Sequence, residues 1–227
     1  MEKLPALSQL HEQLIIELAT DKIHIESVEK NKKEYVLSKL LGRGIRTYQE
    51  INLLVRNGYP YGAITLTRAL FELAVITSFI DKQNDLVAEA YYNYSGDSVD
   101  TNSNYEWARP AGVFKEKEKI RFNRLRELGV FGDDKYKELY TIYCNFAHGS
   151  PQVVNNEVGA ETDAVYSGPT AYGLEAPATF AALIISEILL TVFFESCSRE
   201  LTKKGLFCIE WAQYLKDKYE EKAASLK

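Results

Sequence analysis

The feature that most constrains the fold is the apolar segment TLTRALFELAVITSFI at 65–80, which carries Arg68 and Glu72 one helical turn apart. A helix through 60–81 would have apolar residues on almost every side. Such a helix has to be buried, so it needs several neighbouring helices. A second apolar segment, APATFAALIISEILLTVFF at 176–194, contains the single charge Glu187. We therefore predict a helical bundle with this second segment as a central helix.

Most of the remaining chain also repeats apolar residues at helical spacing, and almost nothing in it is typical of a strand. Asn57-Gly58 is typical of a helix C-terminus, and Pro60 suits the first turn of the next helix. The predicted helices lie at about 6–30, 33–57, 60–81, 83–95, 113–128, 134–148, 178–203 and 206–225.

Two stretches interrupt the helical pattern. The polar stretch at 95–112 could separate two domains, but the first half alone offers few partners for its apolar helix. The stretch at 149–177 holds four glycines and three prolines and is predicted as a long irregular loop. We therefore predict an all-α fold in which 1–227 form a single bundle of about 7–8 helices.

Charge and cysteine content limit the class of protein. The net charge of −5 argues against a broad nucleic-acid-binding surface but leaves room for a local basic patch. The three cysteines form no CxxC motif, and the N-terminus lacks the pattern of a secretory signal. A carboxylate at Glu187 would be costly near the middle of a bilayer. The sequence thus favours a cytoplasmic protein without a membrane span.

The pair Arg68 and Glu72 is the first candidate site. Residues four apart share one stripe of a helix, so the two side chains can pair. A guanidinium has five donors, which one carboxylate cannot satisfy, and Glu187 is the obvious further acceptor. The three charges could be a structural ion-pair network or a functional polar site, and both interpretations stay open.

His148 is the second candidate, because it ends a predicted helix and begins the long loop. The helix dipole alone could explain a histidine there, whereas a position beside a cleft would suit a general acid or base. His11 and His24 are expected on the surface of the first helix. The sequence shows neither the ligand spacings of a metal site nor a glycine-rich nucleotide motif, so we predict no metal and no cofactor.

A basic run at 115–127, KEKEKIRFNRLRE, is diluted by glutamates. It is typical of a solvated helix face, and the alternative is a contact for RNA phosphates.

Two short motifs carry a resemblance to known proteins. R-A-L-F-E at 68–72 and Y-C-N-F-A-H-G at 143–149 resemble a widespread bacterial family of uncharacterised all-helical proteins, over about 35–200. The arrangement is also similar to the HEPN superfamily, whose members often act as metal-independent ribonucleases in toxin and antiviral systems. Their site uses an R-x(4–6)-H motif, usually shared across a homodimer. Here the positions for that arginine hold Tyr143, Ile142 and Thr141.

The resemblance implies a HEPN-like, homodimeric helical protein of a bacterial defence or toxin-type system that binds or cleaves RNA or a nucleotide. If it is catalytic, His148 would be the general acid and base, and Arg68 would hold a phosphate. Glu72 and Glu187 would orient that arginine. The alternative hypothesis is a non-enzymatic helical scaffold or regulatory module in which the charges are purely structural.

Overall fold

The computed structural model describes residues 11–13, 15–17, 19, 31–94, 105–129, 131, 134–147 and 171–193. These residues form helices and turns and contain no strand, so the predicted all-α fold class is confirmed. The helices are α1 (Lys32–Arg56), α2 (Pro60–Lys82), α3 (Asp85–Asn93), a 3₁₀ helix (Glu106–Ala111), α4 (Phe122–Leu128), α5 (Asp134–Ala147) and α6 (Ala171–Phe193). Residues 11–13, 15–17 and 19, here called the N-terminal segment, are also helical.

Local sequence signals determine where α1 and α2 begin and end. The side chain of Asn31 accepts a hydrogen bond from the backbone N–H of Glu34 at 3.1 Å and so caps the start of α1. Gly58 takes a φ of +79°, a conformation that glycine adopts without steric cost, and it reverses the chain after α1. Pro60 is the first residue of α2, where its missing N–H is not needed.

Three long helices form the centre of the fold. α1, α2 and α6 pack on one another, α4 and α5 pack on α2, and α3 contacts α1 and the 3₁₀ helix. At Gly44 of α1, a Cβ atom would lie only 3.2 Å from Ile185 of α6 and 3.5 Å from Leu73 of α2. The absence of a side chain at Gly44 therefore allows the three helices to approach closely. Their buried residues belong to one hydrophobic cluster.

The predicted helix at 113–128 is shorter than expected, since α4 begins only at Phe122. The lysines and glutamates at 115–119 offer no apolar stripe to bury. Instead the Arg109 guanidinium donates hydrogen bonds to the backbone carbonyls of Lys115, Glu116 and Glu118 at 3.1–3.3 Å. The side chain of one arginine thus orders a non-helical segment, which helical periodicity cannot reveal.

The predicted loop at 149–177 is also corrected, because α6 already begins at Ala171 and contains Pro177. Proline inside a helix removes one backbone hydrogen bond. The apolar residues of α6 from Pro177 onward are almost all buried, and their packing stabilises the helix despite the proline. Residues 149–170 and the predicted helix at 206–225 lie outside the described residues.

His11 was expected on the surface, and the structure shows the opposite. Its side chain is 1% exposed and lies between α1 and α6. Nδ1 is 2.6 Å from the hydroxyl of Tyr48, and Nε2 is 3.3 Å from Oγ of Ser186. The packing of the N-terminal segment on two other helices decides this burial. His24 lies outside the described residues.

In the part of the chain that the structure describes, α2 is the one helix long and apolar enough to cross a membrane by length and composition. In the other apolar segment, 176–194, the apolar part of the helix, Pro177–Val192, is shorter. Two thirds of the apolar window in α2, 67%, are buried inside the fold, as in the core helix of a soluble protein.

Candidate functional site

Arg68 and Glu72 pair as predicted. Arg68 Nε lies 3.1 Å from Oε1 of Glu72 within α2. The same carboxylate oxygen accepts a hydrogen bond from the hydroxyl of Tyr140 on α5 at 3.0 Å, and the Arg68 guanidinium lies 5.7 Å from the centre of the Tyr140 ring. Tyr140 therefore contacts both charged side chains and connects α2 to α5.

This cluster is half-buried rather than fully buried. The side chains of Arg68 and Glu72 are 23% and 32% exposed. Burial, together with the charge of Glu72 and the proximity of Cys144, raises the pKa of Tyr140 well above its usual value, so its hydroxyl stays protonated and donates. The ring of Phe122, 4.8 Å from that of Tyr140, closes one side of the cluster.

The expected contact of Glu187 with Arg68 is not present. Both residues are described, and the ion pair of Arg68 is made with Glu72. Burial alone raises the pKa of Glu187, whereas a nearby guanidinium would lower it. The reason is geometric: α6 turns Ile185 and Ile188 toward Gly44, and Glu187 occupies a different side of the helix. The further partner of Arg68 is the ring of Tyr140, an interaction that charge counting does not find.

His148 lies outside the described residues, so its predicted place beside Arg68 stays a prediction. The described helix next to it, α5, ends at Ala147. One turn before His148 in sequence, Cys144 is close enough to Arg68 to influence its pKa. Burial lowers that pKa, but Cys144, Glu72 and Tyr140 together raise it by more, so the pKa of Arg68 lies above its usual value and Arg68 remains a cation.

A groove of about 710 Å³ runs between α1 and α2 beside this cluster, and Glu72 lines it. Its volume lies within the range of small-molecule sites. Apolar residues of α2 form one wall, and polar and basic residues of α1 form the other. The lining residues are Ser38, Lys39, Gly42, Arg43, Arg46, Thr47, Glu50, Leu66, Ala69, Glu72, Leu73, Ile76 and Tyr91.

Three cations line the α1 wall of the groove. Lys39, Arg43 and Arg46 are exposed and follow one face of the helix. Among the described residues none of the three forms an ion pair, although Glu50 stands four residues after Arg46. Glu72, which faces them, is already engaged by Arg68 and Tyr140.

The charge of α1 contrasts with that of the whole chain. This helix carries six lysines and arginines against two glutamates, in a protein of net charge −5. A local positive potential of this kind attracts anions even to an acidic protein.

Gly42 leaves the α1 wall open. A Cβ at Gly42 would meet nothing within 4 Å, so there is room in front of the backbone here. The sequence signal for this wall is the spacing of Lys39, Arg43 and Arg46, which places three cations on one helix face. The predicted site residues did not include them.

The described residues contain no group of three or more His, Cys, Asp or Glu side chains arranged to hold a metal ion. The side chains of the groove offer three features: cations for an anionic group, an apolar wall, and a tyrosine hydroxyl near Arg43. Burial raises the pKa of Tyr91 and the Arg43 charge partly offsets that rise, which places the two groups close together.

Comparison with known proteins shows that one part of this all-helical chain is similar to a family without assigned function. Residues 34–108 are similar to the DUF5677 family, described as a family of unknown function. The match covers α2, α3 and all of α1 except its first two residues, and thus both Arg68–Glu72 and the groove. No curated protein and no solved structure gives a significant match to the chain.

Proposed function

We propose that this protein is a HEPN-like helical protein of a bacterial defence or toxin-type system, and that it binds the phosphates of RNA or of a nucleotide in the groove between α1 and α2. The observation that carries the proposal is the row Lys39, Arg43 and Arg46, three exposed cations without an ion-pair partner among the described residues. Cations that line a groove and have no ion-pair partner are available to an anionic ligand such as a phosphate.

The groove supplies complementary features for such a ligand. Arginine side chains bind phosphate oxygens in a bidentate manner, and Arg43 and Arg46 can both present their guanidinium groups to one ligand. The apolar wall formed by Leu66, Leu73 and Ile76 suits the less polar part of a nucleotide.

Cleavage is a further part of this hypothesis and depends on His148 as the general acid and base. Its phosphate-holding partner would be Arg68, kept in place by Glu72 and Tyr140. In the proposed homodimer the second subunit could complete this site.

A second function is supported by a different observation. Arg68, Glu72 and Tyr140 satisfy one another and connect α2 to α5, as a structural network would. This favours a non-enzymatic scaffold or regulatory module.

The binding test uses fluorescence anisotropy with labelled single-stranded RNA and competition by ATP, at 50 and 200 mM salt. We expect the double variant Arg43→Ala/Arg46→Ala to weaken binding by at least about tenfold and to reduce the salt dependence, because each lost phosphate contact lowers the slope by about 0.7 on a log–log scale for single strands.

The matched control is Arg121→Ala/Arg124→Ala, which removes two exposed arginines from the basic run at 115–127. It should bind like the wild type. Loss of binding in this control with retention in the groove variant would place the ligand elsewhere and contradict the proposal. Absence of binding by the wild type would favour the scaffold.

Incubation of the wild type and His148→Ala with total RNA tests the cleavage hypothesis separately. Cleavage by the wild type alone, with an unchanged melting temperature for the variant, is the expected result. Equal cleavage by both proteins would exclude His148 as the acid and base.

A further inference from the structure

A line of aromatic side chains continues the cationic row beyond the groove. Tyr35 precedes Lys39 by four residues on α1, and the Lys39 ammonium lies 5.2 Å from the centre of its ring. Tyr92 of α3 packs against Tyr35 edge to face, with ring centres 5.9 Å apart. Tyr92 is 48% exposed, so much of its ring surface is available to a ligand.

The order along this surface is Tyr92, Tyr35, Lys39, Arg43 and Arg46. Along α1 alone, Tyr35 and Arg46 are eleven residues apart, which is about 16 Å at 1.5 Å per residue. At about 3.4 Å per stacked nucleotide, this length corresponds to about five nucleotides. A mononucleotide would cover only part of it.

The groove also contains the carboxylates of Glu50 and Glu72, and Glu72 is engaged by Arg68 and Tyr140. Two further lysines of α1 are held by contacts to other elements. Lys32 of α1 forms an ion pair with Glu89 of α3, one turn from Tyr92. Lys33 donates to the backbone carbonyls of Asp81 and Gln83 at 2.6 and 3.0 Å. These contacts connect α1 to the α2–α3 junction and so hold Tyr35 and Tyr92 at a defined separation.

We propose that the ligand of the groove is a single-stranded polynucleotide, with its phosphates on Lys39, Arg43 and Arg46 and a base stacked on Tyr92. Cations along a groove combined with exposed aromatic rings are the features by which proteins bind single strands without reading sequence. This inference depends on the proposed function and specifies the substrate class of the same site.

The experiment measures binding of labelled uridine oligonucleotides of 2, 4, 6, 8 and 12 residues, with oligo-thymidine of equal length, a 12-base-pair RNA duplex and ATP as further probes. Affinity should rise with length to about five or six nucleotides and then level off. Tyr92→Ala should weaken binding of the 12-mer by about tenfold and leave ATP binding unchanged, whereas Tyr92→Trp should retain 12-mer binding.

Tyr59→Ala is the matched control, because Tyr59 is 62% exposed but lies beyond the opposite end of α1, just before α2. It should bind all probes like the wild type. Equal affinity for ATP and the 12-mer, or unchanged 12-mer binding by Tyr92→Ala, would overturn the polynucleotide inference while leaving the proposed groove intact. Preference for the duplex would also overturn it. No binding of any probe by the wild type would overturn the proposed function as well. Comparison of the uridine and thymidine series decides whether the strand is RNA or DNA.

Discussion

The polar side chains on the two faces of α1 differ in burial and in whether they have a partner within the protein. On the core face, Tyr48 is 1% exposed and its hydroxyl lies 2.6 Å from Nδ1 of His11. On the groove face, Lys39, Arg43 and Arg46 are exposed and form no ion pair among the described residues. A buried polar group needs a hydrogen-bond partner inside the protein, whereas an exposed charge is solvated by water and remains available to a ligand. The comparison separates the structural polar residues of this helix from those to which we assign ligand binding.

The two glycines of α1 repeat this contrast. Gly44 faces the tightest contact among α1, α2 and α6, and Gly42 faces the open groove. The same residue type thus permits close helix packing on one face and borders open space on the other.

The largest expected effect is the pH dependence that His11 gives to the core face. Burial lowers its pKa from 6.5 to about 4, so the unfolded chain takes up the proton first as the pH falls. Stability is therefore complete above pH 6.5 and is lost progressively between pH 6.5 and 4, by about 3 kcal/mol in total. Chemical denaturation of the wild type and His11→Gln at several pH values measures this difference.

Glu187 has the opposite effect on stability. Burial raises its pKa, so the folded state binds a proton first and becomes more stable as the pH falls. The comparison with His11→Gln cancels this contribution, which both proteins share. An identical pH profile for the two proteins would show that His11 is not buried in its neutral form.

The next effect concerns the hydrogen bond between Tyr48 and His11. Oγ of Ser186 donates to the carbonyl of Ala182 at 2.8 Å, which leaves Ser186 to accept from Nε2–H of His11 and Tyr48 to donate to Nδ1. Tyr48→Phe leaves the buried Nδ1 without this donor and should cost about 1–3 kcal/mol of unfolding free energy. Equilibrium urea unfolding tests it, and a loss below about 0.5 kcal/mol would contradict the assigned bond.

The glycine pair gives the sharpest matched comparison. In the interior of a helix, alanine in place of Gly42 or Gly44 stabilises the folded state by up to about 1 kcal/mol through its higher helix propensity. Gly42→Ala keeps that gain because its Cβ meets nothing within 4 Å. Gly44→Ala pushes against methyl groups of Ile185 and Ile188, so it should be less stable than Gly42→Ala by about 1–3 kcal/mol. Thermal unfolding of both variants measures the difference, and equal melting temperatures would refute the packing argument.

Arg68→Ala should have a smaller effect, about 1 kcal/mol. A broken, fully buried ion pair would cost several kcal/mol, but water reaches both side chains here. Urea unfolding of Arg68→Ala measures the contribution of the ion pair. The same measurement on Tyr140→Phe, which removes only the hydroxyl that donates to Glu72, measures the contribution of that hydrogen bond. A loss of 3 kcal/mol or more for Arg68→Ala would show that the cluster behaves as a buried one.

The smallest effect on stability is expected for Arg43→Ala/Arg46→Ala. These side chains are exposed and have no ion-pair partner in the described part of the chain, so unfolding should change by about 0.5 kcal/mol or less. A large loss of stability would mean that the two arginines are structural, and the binding result for this variant would then need another interpretation.

Helical periodicity identified the described helices well where an apolar stripe was present. α1, α2 and α3 lie within one or two residues of the predicted bounds. Gly58 follows the end of α1, and Pro60 begins α2. The pattern failed at 113–121, where charged residues alternate and backbone carbonyls are held by Arg109. It also failed at 171–177, where a proline is accommodated inside α6.

The sequence by itself determined the all-α class and the pairing of Arg68 with Glu72, because both depend on spacing within one helix. Tertiary structure alone decided that Tyr140, and not Glu187, completes that cluster, that His11 is buried, and that α1 and α2 leave a groove between them. These features depend on how helices distant in sequence are rotated against one another, and helical spacing carries no information about that rotation.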